Sequence, residues 1–222
     1  MIHDLESRSI DFVLAFPQAY LHEDIYMELP FGFDHDGDRS YVMKLNKSIY
    51  GLKQASSNWF DHPTKGLKQR DFFPSEIDPC VYYKDNCIVL VYVDDCIIFS
   101  KDKSVIDDLI HSLMNGPENY VLTDEGEIDK YLGVDIDKSK KGSIELRQSY
   151  LIQRCLEAME ANDKMNIKRT PATKPLIHKD KDGSPRKHQW NYRQVIGMLN
   201  YLTSTTRPDI PPLKRQQKLL WN

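Results

Sequence analysis

The sequence predicts an α+β fold, in which short strands, some of them joined as hairpins, are combined with amphipathic helices. Short apolar, β-prone runs alternate with segments whose apolar residues recur at helical spacing. Two strongly apolar runs are also joined by only two polar residues, which indicates a tight hairpin. The chain has 222 residues, of which 40% are hydrophobic and 28% charged, and this composition is typical of a folded globular protein.

The first half of the chain predicts strands around one helix. We expect strands at residues 9–16, 25–29 and 41–45, with a polar loop between the last two. From residue 52 to residue 67 the apolar residues recur at near-helical spacing. Pro63 is unusual inside this predicted helix, because an internal proline removes a backbone donor and costs about 3 kcal/mol.

The most apolar part of the chain predicts three strands, at residues 80–83, 87–93 and 96–99. The middle run is apolar at both odd and even positions, which is typical of a central strand. Asp94 and Asp95 are the polar residues between the last two runs, so we expect both at the tip of a hairpin.

The remaining sequence predicts helices around a second hairpin. An amphipathic helix is expected at residues 104–114 after Asp102, a good capping residue, and an acidic loop after residues 121–122. The later predictions are a hairpin at residues 131–148 with its turn at 140–142, a helix at 150–159, a polar linker at 162–188 and a helix at 192–202.

Several classes of protein are excluded by composition. The longest apolar run, residues 87–93, is far shorter than the roughly 20 residues of a membrane-spanning helix, and the first residues lack the pattern of a signal peptide. The four cysteines form no CxxC pair, so neither a disulfide framework nor a zinc site is indicated. We expect an intracellular protein with no membrane partner, in either the cytoplasm or the nucleus.

Charge is distributed unevenly along the chain. Residues 1–111 contain 11 basic and 19 acidic side chains, whereas residues 112–222 contain 19 and 14. An acidic half that holds metal ions and a basic half that lies along a phosphate backbone would suit a nucleic-acid enzyme. Two solvated surfaces of opposite sign explain the same numbers, so both interpretations stay open.

Two adjacent carboxylates at the tip of an apolar hairpin repel each other, and divalent cations offset such repulsion. Two Mg²⁺ ions held by carboxylates are a standard arrangement for nucleotidyl transfer. This chemistry needs a third carboxylate from another strand, and Asp11 is the candidate because it also interrupts an apolar run. For Asp94 and Asp95 taken alone, an ordinary polar turn is the alternative.

Five ordered segments resemble the polymerase palm of reverse transcriptases, in the form found in copia-type LTR retrotransposon polyproteins. They are DFVLAF with the following EDIYMELPFGF, then YGLKQASSNWF, YVDD, YLGV and YRQVIGMLNYLTSTTRPDI. The motif YVDD alone is moderate evidence, but the shared order of five segments over residues 9–210 makes the resemblance specific.

The resemblance implies a reverse-transcriptase palm, with a split βαβ, ferredoxin-like sheet and helices on one face, and a partial thumb or connection segment. It assigns residues 1–125 to the palm, 126–161 to a primer-grip-like hairpin and its helix, 162–188 to the linker and 189–222 to a C-terminal helical segment. Compared with the family, a basic fingers region and a ribonuclease H domain are expected to be absent. Together with Pro63, this predicts a truncated or decaying copy whose metal-binding aspartates are intact but which polymerises poorly or not at all.

The resemblance also implies a catalytic site. Asp11 and Asp94 would be direct ligands of two Mg²⁺ ions, with Mn²⁺ as a possible substitute. Asp95 would be a weaker ligand or a neighbouring partner, and the backbone carbonyl of Phe12 would complete the coordination of one ion.

Further positions match residues that contact substrates in the family. Phe16 resembles the aromatic gate that crowds the sugar 2′ position, although an ordinary core aromatic is the alternative. Phe12, Gln54 and Tyr92 match positions near the incoming nucleotide. Leu132 and Gly133 resemble the hairpin that grips the primer terminus, and a plain β-hairpin would predict the same two residues.

The implied function is that of an RNA-directed DNA polymerase, a nucleotidyltransferase of a transposable element. Its partners would be an RNA or DNA template with a primer and deoxynucleoside triphosphates. The alternative is a non-catalytic nucleic-acid-binding remnant of the same palm, because the predicted sheet is similar to RNA-binding folds. The three aspartates favour the enzyme, and the oligomeric state is left open.

Overall fold

The computed structural model describes residues 5–33, 41–139, 142–161 and 190–210. The predicted linker at residues 162–188 and the predicted turn residues 140–141 lie outside the described residues. The chain divides into two compact units, Met1–Ile128 and Asp129–Asn222. The α+β class predicted from the sequence is confirmed in both units.

The first unit is built on antiparallel strands and three helices. Its strands are β1 (Glu6–Phe12), β2 (Tyr20–Glu28), β3 (Val42–Lys47), β4 (Phe73–Pro74), β5 (Val81–Lys84), β6 (Cys87–Tyr92), β7 (Asp95–Ser100) and β8 (Leu122–Gly126). Its helices are α1 (Ala15–Gln18), α2 (Ala55–Lys68) and α3 (Lys103–Asn115). Six of the strands form one sheet in the order β4-β5-β6-β7-β1-β8, and β2 pairs with β3 as a separate ribbon.

One face of the six-stranded sheet is covered by α2 and α3. Because side chains alternate along a strand, every second residue of β1, β6 and β7 faces these helices. The strand residues of this core are Ile10, Phe12, Val89, Val91, Cys96 and Ile98. They share one buried cluster with the inward residues of the helices, which include Trp59, Leu67, Ile106 and Ile110.

The predicted central strand is confirmed, since β6 lies between β5 and β7. Its two faces differ in burial: Val89 and Val91 are buried, whereas Ile88 and Leu90 are partly exposed. The sequence predicted burial of both faces of this strand, but only the face that carries Val89 and Val91 is fully buried.

The first predicted strand is too long at its C-terminal end. It was expected to reach residue 16, but β1 ends at Phe12, and Leu14 has a left-handed backbone with φ 52°. The Gln18 side chain donates to the carbonyls of Val13 and Val121, both at 2.8 Å, and accepts from the Val121 backbone N–H. These side-chain bonds take the place of strand pairing just after β1.

The predicted acidic loop after residue 122 is wrong, because this segment forms β8 and pairs with β1. The acidic residues are tolerated because β8 is the edge strand, where Asp124 is exposed and forms an ion pair with Arg8. Tertiary pairing has here outweighed the low β-propensity of acidic residues.

Helix α2 continues through Pro63, which is buried. Helix α3 begins as predicted after Asp102, whose side chain accepts a hydrogen bond of 2.9 Å from the Ser104 backbone N–H. Among the described helices, none has the length and apolar character needed to cross a bilayer.

The second unit contains a small sheet and two helices. Its elements are β9 (Lys130–Tyr131), β10 (Val134–Asp137), β11 (Glu145–Arg147), α4 (Ser149–Ala158) and α5 (Tyr192–Thr205). The sheet has the order β11-β10-β9. Cys155, Val195 and Leu202 are its buried helix residues, and Thr206 donates a 2.9 Å bond to the Gln148 side chain.

Candidate active site

Two of the predicted aspartates are direct neighbours on adjacent strands. In the antiparallel register of β1 and β7, Asp11 pairs with Asp95. Asp11 lies between the buried residues Ile10 and Phe12, so by alternation it faces away from α2 and α3. Cross-strand partners share one face of a sheet, so the two carboxylates project from the open face.

The third predicted aspartate, Asp94, lies in the turn that joins β6 to β7. Because Tyr92 pairs with Asp95, the two turn residues are Val93 and Asp94, one position earlier than the sequence suggested. The backbone N–H of Phe12 donates to the Asp94 carbonyl at 2.8 Å, which ties the tip of the hairpin to the end of β1.

The backbone of this turn is strained at Val93. Its φ of 55° is in the left-handed region, which β-branched residues rarely adopt. The indole N–H of Trp59 donates to the Val93 carbonyl at 2.8 Å and so holds the turn from the helix-covered side. Strained backbone of this kind is often found at functional sites.

The carboxylates act on each other electrostatically. Burial raises the pKa of Asp95 above its usual value, and the negative charges of Asp11, Glu125 and Asp94 raise it further. Sequence analysis missed Glu125, which is on β8 and accepts a 3.3 Å bond from the Ser9 hydroxyl. Its contribution could not be recognised because its segment was expected to be a loop.

Tyr50 is a second residue of the site that received no role from the sequence, although it belongs to the YGLKQA segment. Its hydroxyl donates to the Asp94 carboxylate, at 3.0 Å from Oδ1 and 3.3 Å from Oδ2. Its ring packs against that of Phe16, with the centroids 4.6 Å apart. Partial burial and the bond to Asp94 both raise the pKa of Tyr50.

The other predicted nucleotide-binding residues occupy different settings. Phe16 is partly buried in α1, and Tyr92 is exposed at the end of β6. The Phe12 ring is in the core against Trp59, so only its backbone is available to the site. Gln54 precedes α2, and within the described part of the chain its side chain forms no hydrogen bond with the aspartates.

A cavity of about 190 Å³ adjoins the turn on the helix-covered side. Its walls are mainly aromatic and apolar side chains, which include Phe16, Trp59, Phe60, Tyr82 and Val93. The turn is therefore backed by an incompletely filled space.

Leu132 and Gly133 belong to the second unit, where they form the two-residue turn between β9 and β10. Both have positive φ values, 47° and 75°. The Leu132 carbonyl accepts a 2.6 Å bond from the Tyr201 hydroxyl, which fixes the turn to α5.

The described residues contain no group of three His, Cys, Asp or Glu side chains gathered closely enough to hold a metal ion. The chemistry of the aspartates nonetheless fits Mg²⁺ or Mn²⁺, because both ions prefer carboxylate oxygen. Burial is the main cause of the raised pKa of Asp95, and a divalent cation would offset the further contribution of Asp11, Glu125 and Asp94.

Comparison with known proteins identifies a family. A family model described as reverse transcriptase (RNA-dependent DNA polymerase) matches residues 1–174. A Retrovirus-related Pol polyprotein from transposon TNT 1-94 of Nicotiana tabacum is 33% identical over 218 residues, which is 93% of this chain. A putative transposon Ty5-1 protein of Saccharomyces cerevisiae is 30% identical over 90% of this chain, and the Pol polyprotein from transposon RE1 of Arabidopsis thaliana is 29% identical over 91%.

The chain spans only part of these relatives. It covers 16% of the TNT 1-94 polyprotein, 65% of the Ty5-1 protein and 14% of the RE1 polyprotein.

Proposed function

Because the chain belongs to the reverse transcriptase (RNA-dependent DNA polymerase) family, in the form carried by copia-type retrotransposon Pol polyproteins, we propose that Asp11, Asp94 and Asp95 form its polymerase site. The observation that carries the proposal is the strand register, which makes Asp11 and Asp95 neighbours beside the turn that contains Asp94. The proposed substrates are a template of RNA or DNA with its primer and deoxynucleoside triphosphates.

Asp11 and Asp94 would hold two Mg²⁺ or Mn²⁺ ions, with Asp95 as a weaker ligand and the Phe12 carbonyl as a further oxygen donor. Bound there, the ions would lower the pKa of the primer 3′ hydroxyl and stabilise the charge on the triphosphate. The protein contributes a fixed arrangement of carboxylates, since two of them are on paired strands and the third is tied to β1 through its carbonyl. These fixed backbone positions would limit how far the carboxylates must move to share the ions.

The remaining residues would select and orient the substrates. The Phe16 ring would crowd a 2′ hydroxyl and so favour deoxynucleotides, and Gln54 and Tyr92 would contact the incoming nucleotide. Leu132 and Gly133, whose turn is fixed by Tyr201, would hold the primer terminus.

Primer extension tests the proposal. The full chain is incubated with a primed RNA template, Mg²⁺ and deoxynucleoside triphosphates, beside an Asp94→Asn variant. We expect this variant to reduce extension by at least about a hundredfold, because a group that stabilises developing charge typically contributes that much. Asp85→Asn is the matched control, since it removes a carboxylate at the opposite end of β6. Measurable extension by the wild type that Asp94→Asn leaves unchanged would show that the aspartates are not the site.

The second candidate function, nucleic-acid binding without catalysis, is favoured by the exposed β2–β3 ribbon. Tyr20 and Tyr26 are 63% and 56% exposed. They pair across the ribbon with Lys47 and Lys44, and the Lys47 ammonium lies 5.2 Å from the centre of the Tyr20 ring. Aromatic and basic side chains together suit a single-stranded nucleic acid. Manganese titration separates the two candidates, because a pure binder would show no Mn²⁺ binding that depends on Asp94.

A further inference from the structure

We propose that Tyr50 is a positioning residue for the Asp94 carboxylate, and that its hydroxyl and its ring have separable effects on the site. The inference rests on the proposed function, because it assumes that Asp94 holds a divalent cation and that Phe16 crowds the sugar 2′ position. Tyr50 would act through Asp94 and through Phe16, the two residues that its hydroxyl and its ring contact.

The first step is the asymmetry of the hydrogen bond. The Tyr50 oxygen is 3.0 Å from Oδ1 of Asp94 and 3.3 Å from Oδ2, so Oδ1 is the better acceptor. A phenol is protonated at neutral pH and can donate only one proton. The hydroxyl lies against both oxygens, nearer to Oδ1, and so restrains the orientation of the carboxylate.

The second step is the rigidity of the loop that carries Tyr50. The buried Ser48 donates its backbone N–H to the Ala19 carbonyl at 2.9 Å, and its hydroxyl accepts from Asn58 at 3.2 Å. A turn then closes through a 3.3 Å bond from the Leu52 N–H to the Ile49 carbonyl. Gly51 has φ 99° in this turn, a conformation that favours glycine.

The third step is the packing of the ring. The Tyr50 and Phe16 rings are tilted by 55° with their centroids 4.6 Å apart, while Tyr50 remains 51% exposed. An aromatic pair of this geometry restrains both rings. Removal of the hydroxyl alone leaves this contact between the rings in place. Removal of the Tyr50 ring would allow the Phe16 side chain to rotate, because its packing partner is lost.

The experiment measures Mn²⁺ binding to the full chain by electron paramagnetic resonance, without nucleotide or nucleic acid. Tyr50→Phe should weaken the binding that depends on Asp94 by about three- to tenfold, as expected for the loss of one hydrogen bond of ordinary strength at an exposed site. Tyr83→Phe is the matched control, since it removes the hydroxyl of another exposed tyrosine, on β5, and should leave the affinity unchanged.

The ring is tested by a second pair of variants. Tyr50→Leu should lower the preference for deoxynucleotides over ribonucleotides in primer extension, whereas Tyr50→Phe should preserve it. A Tyr50→Phe variant that binds Mn²⁺ as tightly as the wild type, or more tightly, would overturn the positioning role. A loss of discrimination in Tyr50→Phe equal to that in Tyr50→Leu would overturn the separation of hydroxyl and ring.

The same titration distinguishes this inference from the proposed function. If the wild type binds Mn²⁺ and Asp94→Asn does not, but Tyr50→Phe has no effect, the inference alone fails. If Asp94→Asn binds Mn²⁺ as well as the wild type, the proposed function fails and the inference fails with it.

Discussion

Trp59 is the residue on which the geometry of the β6–β7 turn most directly depends. Its indole N–H donates to the carbonyl of Val93, the residue with the strained backbone. We expect Trp59→Phe to lower the free energy of unfolding by about 1–2 kcal/mol, through the lost hydrogen bond and reduced packing. Urea unfolding would measure this change. Primer extension should fall further than the loss of folded protein explains, because the turn that carries Asp94 is released.

Tyr120→Phe provides a control of similar size in the same core. It removes a 2.9 Å bond from the Tyr120 hydroxyl to the His62 carbonyl but leaves the turn untouched. We expect it to destabilise the fold while extension per folded molecule stays near the wild-type value. If both variants lose extension equally, Trp59 has no specific effect on the turn.

His62 should make the stability of the first unit depend on pH. Burial lowers its pKa below the usual 6.5; Glu118 opposes this shift, and Lys47 and Lys65 add to it. As pH falls, His62 therefore becomes protonated in the unfolded chain before it does so in the folded chain. The contribution of neutral His62 to the free energy of unfolding is complete above pH 6.5 and is lost progressively below it.

The test compares urea midpoints at pH 7.5 and pH 5.5. The midpoint of the wild type should fall at the lower pH, and His62→Gln should remove part of this fall. His111→Gln is the control, because it replaces an exposed histidine on α3 of the same unit. A fall that is identical in the wild type and His62→Gln would contradict the prediction.

At the level of single residues, the aspartates of the proposed site stand out in the sequence, but Tyr50 and Glu125 do not. An aspartate that interrupts an apolar run stands out in sequence because an unpaired buried carboxylate is costly. The importance of Tyr50 comes from a hydrogen bond across 44 positions of the chain, and no local pattern encodes such a contact.

Helix α2 has a proline, Pro63, in its interior, where this residue disfavours helix formation. Replacing an interior proline gains about 3 kcal/mol of helix propensity, and loss of the ring costs about 1–2 kcal/mol of buried apolar surface. We therefore expect Pro63→Ala to raise the free energy of unfolding by about 1–2 kcal/mol, measured by urea unfolding. Ser57→Ala, at an exposed position of α2, is the control and should gain less. Destabilisation by Pro63→Ala would show that the ring is needed to line the adjoining cavity.

Helices and central strands were predictable because their apolar periodicity reflects burial of one face. The cap of α3 at Asp102 followed from residue type alone. Strand β8 was missed because its acidic residues have low β-propensity, and only the unpaired edge of β1 explains why they adopt a strand. The sequence placed the end of β1 too late. The strand pairing is replaced there by hydrogen bonds from the Gln18 side chain, which lies beyond the apolar run.

For the whole molecule, the contrast in charge is stronger between the two structural units than between the halves of the sequence. Residues 1–128 contain 11 basic and 23 acidic side chains, and residues 129–222 contain 19 and 10. The net charges of the units are therefore −12 and +9. The unit boundary separates the acidic side chains of the proposed site from most of the basic residues.

We expect the affinity for a primed RNA template to fall at least about tenfold between 50 and 200 mM salt, because binding to phosphates releases counterions. Fluorescence anisotropy with a labelled primer measures this. Asp94→Asn should show the same dependence on salt, since it alters the proposed catalytic site and not the basic unit. An affinity that is insensitive to salt would contradict a role for the basic unit in holding the phosphate backbone.

The pairing of Asp11 with Asp95 makes the proposed chemistry unusually vulnerable to one kind of genetic change. A single codon inserted or deleted within β1 would invert which of its side chains face each side of the sheet, while most of the apolar content of the chain would survive. Such a lesion would separate Asp11 from its partners without altering YVDD. Copies of this element that have lost activity should therefore be sought by the length of this strand as well as by their motifs.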